Sequence, residues 1–293
     1  MPHFAKTLFI INPKSGRQNK LNIQDLIRKH LPEDSFDIVE TEFAGHATEL
    51  ARQGAKDGFR VVAAVGGDGT VNEVARGLLG TRAALAIIPK GSGNGLARHL
   101  NIPLEVPAAL DLFHNSTFSR IDTCTINGHP FFCTAGFGFD GYISSIFARN
   151  ARRGLRSYVE LILKEFTKFK PGKATVQLNH ENFETDCFVL TFANASQYGN
   201  NAYIAPMADI RDGLLDVCLI RELSLQKAMA VSYGLLTKKI ATSGHAEFFK
   251  TQEITAQTKE QMPFHADGEY VGEACEFHVQ IKPLSLEVLI PAS

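Results

Sequence analysis

Residues 61–74 read VVAAVGGDGTVNEV. An apolar run of buried-strand type ends in three glycines set around Asp68, and Thr70, Val71, Asn72 and Glu73 then open a helical pattern. A strand that passes through glycines into a helix is one unit of a parallel α/β sheet. The stretch also poses a chemical question, because a tight turn has no need of Asp68: glycine and asparagine serve as well.

The same alternation surrounds this unit. TLFII (7–11), FDIVETE (36–42) and ALAII (84–88) are further short apolar or β-branched runs. Residues 21–31, 46–58 and 71–80 carry helical patterns between them, the last two closed by glycines. Strands alternating with helices predict a parallel sheet covered on both faces, with ligands beyond the carboxyl ends of the strands. After about residue 120 the texture changes. Asn127-Gly128 lies between two strand-like runs, a strong hairpin signal, and more runs follow at 173–179, 183–195, 214–220, 252–258, 276–281 and 284–290. Helical patterns interrupt this half at 139–169 and 224–240. The expected architecture is an α/β domain with a parallel sheet over residues 1–122, then a mainly antiparallel β domain over 123–293, whose final strand packs back toward the first.

Composition narrows the function classes. The chain has 293 residues, 44% of them apolar and 21% charged, and a formal net charge of -1. That charge gives no global field for holding nucleic acid. Five cysteines are odd in number and form no C-x-x-C pair, which argues against a disulfide framework or a zinc site and fits a reducing compartment. The first residues hold too short an apolar run for a signal peptide, and no later run reaches the ~18 residues of a membrane span.

Three loops follow strands of the first domain: NPKSG (12–16), GGDGTVNE (66–73) and GSGNGLAR (91–98). Glycines admit positive φ and close backbone approach, so successive amides can form an anion nest, and a following helix adds its dipole. Beside such a nest, Asp68 makes sense as a partner of a divalent cation or as a proton acceptor. GFGFDG (136–141) has the spacing of a dinucleotide fingerprint, with Glu160 about 20 residues on, but lies after a hairpin and outside a βαβ frame. It leaves an oxidoreductase as a rival reading. His46, His99 and His265 show no metal-ligand spacing.

Taken in order, NPKSG, GGDGTVNEV, GSGNGLAR, GFGFD, DGLLDV (212–217) and DGE (267–269) resemble the lipid kinases of the diacylglycerol kinase catalytic-domain type, over nearly the whole chain. This family includes bacterial diacylglycerol kinases, relatives directed at phosphatidylglycerol, and sphingosine kinases. The resemblance implies ATP-dependent phosphorylation of a lipid hydroxyl with Mg²⁺. Asn12 and Thr41 would line the nucleotide site, Gly66, Gly67, Asp68, Gly69, Thr70, Val71, Asn72 and Glu73 would cradle the triphosphate, and Ser92 would add a phosphate contact. Asp212 would hold a structural Mg²⁺ by its side chain, with backbone oxygens of Asp209 and Leu214. The catalytic carboxylate would be Asp267, Glu269 or Asp68, with Asp68 favoured as a ligand of the catalytic Mg²⁺. Asp122 matches a further acidic position of the family that would join the metal and water network, and is equally readable as a surface aspartate beside a hairpin. Gly95 stands where bacterial diacylglycerol kinases carry aspartate, as GSGNGLA is nearer the sphingosine kinase form. NAD kinases share GGDG but not the other elements, and a non-catalytic lipid- or nucleotide-binding regulator on the same scaffold is the second alternative.

Residues 149–173 hold eight Lys or Arg against Glu160 and Glu165, with Leu155, Val159, Ile162, Phe166 and Phe169 at helical spacing. A basic amphipathic helix of this kind suits peripheral contact with an anionic membrane, or its stripe packs on the β domain. The expectation is a cytoplasmic protein, transiently at the inner face of the membrane, with a homodimer left open.

Overall fold

The computed structural model describes residues 5–16, 22–149, 155–179 and 181–292. They form two compact units, Met1–Ile121 with Leu284–Ser293, and Asp122–Pro283.

The first unit contains β1 (Thr7–Ile11), α1 (Ile23–His30), β2 (Phe36–Glu40), α2 (His46–Lys56), β3 (Val61–Gly66), α3 (Asp68–Leu78), β4 (Ala84–Pro89), α4 (Gly95–His99) and α5 (Val106–Asp111). Its strands are parallel: Ile10 pairs with Val39 on one side and Ala64 on the other, and Ala63 pairs with Ala86. Every residue of β1, β3 and β4 is buried, which is why these strands read as unbroken apolar runs. Near the end of the chain Val288 joins this sheet, parallel to Leu85. Phe9, Ile11 and Val65 form the core with Ile23 and Ile27 of α1 and Leu110 of α5. Asn22 caps α1 by accepting the amides of Gln24 and Asp25 at 3.2 and 3.4 Å, and Arg28, Lys29 and His30 fill its last turn, where cations suit the dipole.

The second unit is antiparallel β with helices. It contains most of β5 (Ser116–Ile126), then β6 (His129–Phe131), β7 (Thr134–Gly138), α6 (Phe139–Arg149), α7 (Leu155–Glu165), β8 (Gly172–Leu178), β9 (Glu181–Cys187), β10 (Val189–Ala193), β11 (Leu215–Ile220), α8 (Leu225–Thr237), β12 (Glu247–Thr251), β13 (Glu253–Ala266) and most of β14 (Glu269–Pro291). β12, β11, β10, β7 and β13 lie side by side, and β13 also pairs with β8 and β14. Phe137 stacks on Phe277 at 4.0 Å between ring centroids, within an apolar cluster that includes Phe131, Phe192 and Phe264. A second cluster, with Phe139, Phe188 and Val231, seats α6, α7 and α8. On α7 and just beyond it, Ile162, Phe166 and Phe169 pack into this cluster while Val159 is 44% exposed, so the apolar stripe is largely a packing face. Arg152 and Arg153 lie outside the described residues, as does the side chain of Leu155.

Three expectations change. α3 begins at Asp68, not Val71, because Gly67 in extended conformation already delivers its carbonyl to the Val71 amide at 3.1 Å. The runs at 276–281 and 284–290 belong to a single strand, β14. GFGFDG is a packing motif: β7 runs antiparallel to both neighbours, so there is no βαβ frame. A Cβ on Gly136 would meet the Leu190 carbonyl at 2.6 Å, and one on Gly141 would meet the Pro263 carbonyl at 2.1 Å.

Helices α2 and α3 meet through Gly77, where a Cβ would lie 2.5 Å from the Thr48 carbonyl oxygen. Gly77→Val is therefore expected to destabilise the protein by about 2 kcal/mol, in the range of core overpacking. Urea unfolding monitored by circular dichroism checks this through a lowered midpoint.

Candidate active site

The tips of β1, β3 and β4 carry the three glycine-containing loops, and these interlock. The Asn12 side-chain amide donates to the Thr70 hydroxyl at 3.1 Å, and the Gly67 amide donates to the Ser15 hydroxyl at 3.4 Å. A Cβ on Gly91 would fall 2.7 Å from the Gly67 Cα, so the second and third loops touch backbone to backbone. None of Gly66, Gly67, Gly69, Gly91 or Gly93 has positive φ; what contact demands of Gly67 and Gly91 is the missing side chain.

Asp68 fastens the second loop to the third. Its two carboxylate oxygens accept the amides of Asn94 and Gly95 at 2.8 and 2.7 Å, at the start of α4. Asn94, in left-handed conformation, closes its own loop by bonding both the amide and the carbonyl of Gly91. Glu73 has a different task from the one expected. Its carboxylate accepts the amides of Gly45 and Ala47 at 2.9 and 3.1 Å and so caps α2, which removes it from the set of triphosphate contacts. The side chain of Val71 is buried in the core. Helix α3 itself has no side-chain cap at Gly67, and the helix leaves its own first amides unpaired. Asn72 is 3% exposed, and its amide nitrogen has no hydrogen-bond partner. Ser92 is exposed, and the Thr41 amide donates to the Ile11 carbonyl at 2.9 Å.

In the second unit the DGE segment is the turn between β13 and β14. Asp267 and Gly268 both have positive φ, 52° and 79°, the type I′ geometry for which Asp-Gly is suited. The Asp267 carboxylate accepts three successive amides, from Phe132, Cys133 and Thr134, at 2.9, 2.7 and 3.1 Å. Asp267 thus builds the turn, and Glu269 beside it is exposed. His265, 1% exposed, fixes the turn from the other side. Its Nδ1 accepts the Gly268 amide at 3.2 Å, so Nε2 carries the hydrogen toward Asp140, 3.1 Å away. Thr191 donates to the same Asp140 oxygen at 2.9 Å, which leaves the Tyr198 hydroxyl to donate to Thr191 at 2.7 Å. Desolvation around its hydroxyl, on a side chain otherwise 37% exposed, and the nearby Asp140 charge push the Tyr198 pKa well up, which keeps it a donor. Sequence reasoning gave Asp140 and His265 no such role; the hint was a histidine two residues before DGE.

Asp122 is fully buried, so it is not a surface aspartate, and it accepts the Gly213 amide at 2.8 Å. It steadies the segment 209–217, where Asp209 accepts the Arg211 amide at 3.0 Å and Asp212 accepts the Leu214 amide at 2.9 Å.

Two family models cover the chain. The diacylglycerol kinase catalytic domain matches residues 6–126, and the YegS C-terminal NAD kinase beta sandwich-like domain matches residues 134–290. The chain belongs to the diacylglycerol kinase and YegS-like family of lipid kinases. Among its relatives, a diacylglycerol kinase of Bacillus subtilis is 27% identical, over 90% of this chain and 89% of its own. A protein of Chromohalobacter salexigens, named a probable lipid kinase and YegS-like, is 28% identical over 91% of this chain and 88% of its own. The fold matches the crystal structure of a diacylglycerol kinase from Bacillus anthracis with a TM-score of 0.73 at 21% identity, covering 99% of this chain and 98% of that one.

In this lipid kinase family member the residues at the implied structural Mg²⁺ site do not fit the ion. The second oxygen of Asp212, the one side-chain ligand offered, receives the Lys250 ammonium at 2.7 Å, and the same ammonium lies 3.5 Å from Asp216. The Asp209 carbonyl accepts the Asp212 amide at 3.3 Å. A lysine on β12 supplies positive charge to Asp212, the side-chain ligand expected of the Asp209, Asp212 and Leu214 set, and to Asp216. The bond to Asp212 raises the Lys250 pKa, and burial raises that of Asp216, with Lys250 opposing.

Removing that charge strands a buried carboxylate. Lys250→Met is expected to cost about 1–3 kcal/mol at neutral pH, at the low end because Lys250 is partly exposed. A raised acid pKa favours the protonated form in the fold, so its stabilising contribution is present below the unfolded value of Asp216 and is lost as pH rises through the folded one. The deficit of Lys250→Met relative to the parent should therefore shrink as pH falls into the acid range, as denaturant titrations at several pH values would record.

Proposed function

We propose that the protein transfers the γ-phosphoryl group of ATP to a hydroxyl of a membrane lipid of the diacylglycerol, phosphatidylglycerol or sphingoid type. One observation carries this reading: α3 presents an uncapped amino terminus where three interlocked loops converge, while the amides at the start of α2 and α4 are already taken by Glu73 and Asp68. Unpaired amides at a helix start favour phosphate, and the unpartnered Asn72 nitrogen offers a further donor to an acceptor-rich ligand.

Asn12, Thr41, Gly66 to Asn72 and Ser92 line the nucleotide in this reading. Mg²⁺ arriving with ATP offsets the phosphate charge, and Asp68 is the carboxylate at the loop tips toward it; such an ion takes most of its ligands from phosphate and water.

Phosphoryl transfer asks the protein mainly for positioning and charge. The lipid oxygen forms a bond to the γ-phosphorus as the bridging bond to ADP breaks, and the hydroxyl proton passes to a carboxylate. Glu269, the exposed carboxylate of the DGE turn, is the candidate for that task; the oxygens of Asp267 accept three backbone amides. The lipid would be met at the membrane surface: no helix among the described residues is long and apolar enough to cross one. Gly95, whose amide binds Asp68, leaves the choice among lipid acceptors open to test.

Incubation with γ-labelled ATP and a total lipid extract, followed by chromatography, is expected to place label in one lipid class. Glu269→Gln should reduce that label by about a hundredfold or more, the scale of a lost general base, with an unchanged unfolding midpoint. Label in NADP when NAD is supplied, with none in lipid, would overturn the reading.

A further inference from the structure

Helix α8 has two apolar faces. One is accounted for: Val231 and Gly234 are buried against the cluster that includes Phe188 and Ile220, and a Cβ on Gly234 would lie 3.0 Å from the Ile240 Cα. The other carries Leu225, Met229, Tyr233 and Leu236, which are 65, 66, 62 and 66% exposed. Steps of four, four and three residues place these on one stripe. A helix at a protein surface ordinarily turns polar residues outward; this one turns out its largest apolar side chains.

Charge says what covers the stripe. From Leu223 to Ala246 the sequence holds Lys227, Lys238 and Lys239 and not one Asp or Glu. Lys227 pairs with Glu222 at 2.8 Å, whereas Lys238 and Lys239 stand exposed just beyond the helix, the ammonium of Lys238 over the ring of Tyr203 at 4.4 Å. A second copy of the chain, docking by the same surface, would bring the same lysines and no carboxylate from this segment. An anionic lipid surface complements both parts, taking leucine, methionine and tyrosine at the acyl boundary and lysine at the headgroups.

We propose that α8 is a membrane-docking helix that lies in the interface of an anionic bilayer by its Leu225, Met229, Tyr233 and Leu236 stripe, with Lys238 and Lys239 at the headgroups. The inference rests on the lipid kinase reading for its purpose, and it adds α8 as a place of membrane contact.

The chain contains no tryptophan, so Met229→Trp installs a single fluorescent reporter on an exposed position. With vesicles of equimolar phosphatidylcholine and phosphatidylglycerol its emission should shift to the blue and be quenched by brominated acyl chains. Emission that stays at the value for water overturns the proposal. In cosedimentation with the same vesicles, Leu225→Gln/Leu236→Gln and, separately, Lys238→Gln/Lys239→Gln should each bind at least about tenfold more weakly than the parent, the lysine pair losing its effect on pure phosphatidylcholine. Unchanged vesicle binding, with a dimer converted to monomer in sedimentation velocity, would overturn it by assigning the stripe to a second copy. The kinase reading fails separately, as absence of labelled lipid from lipid dispersed in detergent micelles, where docking to a bilayer plays no part.

Discussion

The Asp68 carboxylate accepts the amides of Asn94 and Gly95 at 2.8 and 2.7 Å, and this pair of bonds holds two loops together at the carboxyl edge of the first unit's sheet. A carboxylate serves there because its two oxygens are both acceptors and charge strengthens each bond. Once the loops are joined, Gly67 and Gly91 must meet without side chains, and Asn12 can reach Thr70. Asp68 also spends its carboxylate on α4, which leaves the start of α3 uncapped. The question raised by a carboxylate among glycines thus has a structural answer first: the residue organises the loops at the tips of β3 and β4.

The second unit applies the same device. Asp267 is immobilised by three backbone amides, and His265 is set between Asp140 and the Gly268 amide. Both serve a two-residue turn that presents Glu269. In each unit a half-buried carboxylate is used for construction. Lys250 repeats the theme at Asp212, where an ammonium does the work of a structural cation.

Much of this architecture could be read in advance, for identifiable reasons. Buried parallel strands must be apolar at every position, so β1, β3 and β4 announced themselves, and the left-handed pair at Asn127 and Gly128 left an Asn-Gly signature. Less legible were features set by distant partners. Glu73 sits inside the glycine motif, yet its role depends on α2, whose Gly45 is 28 residues away. Asp140 and His265 are 125 residues apart, and no local pattern links them. Lys250 could not be assigned to Asp212 without knowing that β11 and β12 are neighbours.

Asp68 shapes the loops to which phosphate binding is assigned in the proposed function, and ATP affinity of Asp68→Asn measured by titration calorimetry tests this most directly. Asparagine keeps one acceptor but turns a donor toward the other amide, so one loop bond becomes a repulsion. The account predicts ATP binding weakened by about tenfold or more, the scale of 1–3 kcal/mol for a lost and unsatisfied bond, with the overall fold retained by circular dichroism. An unchanged dissociation constant would contradict it.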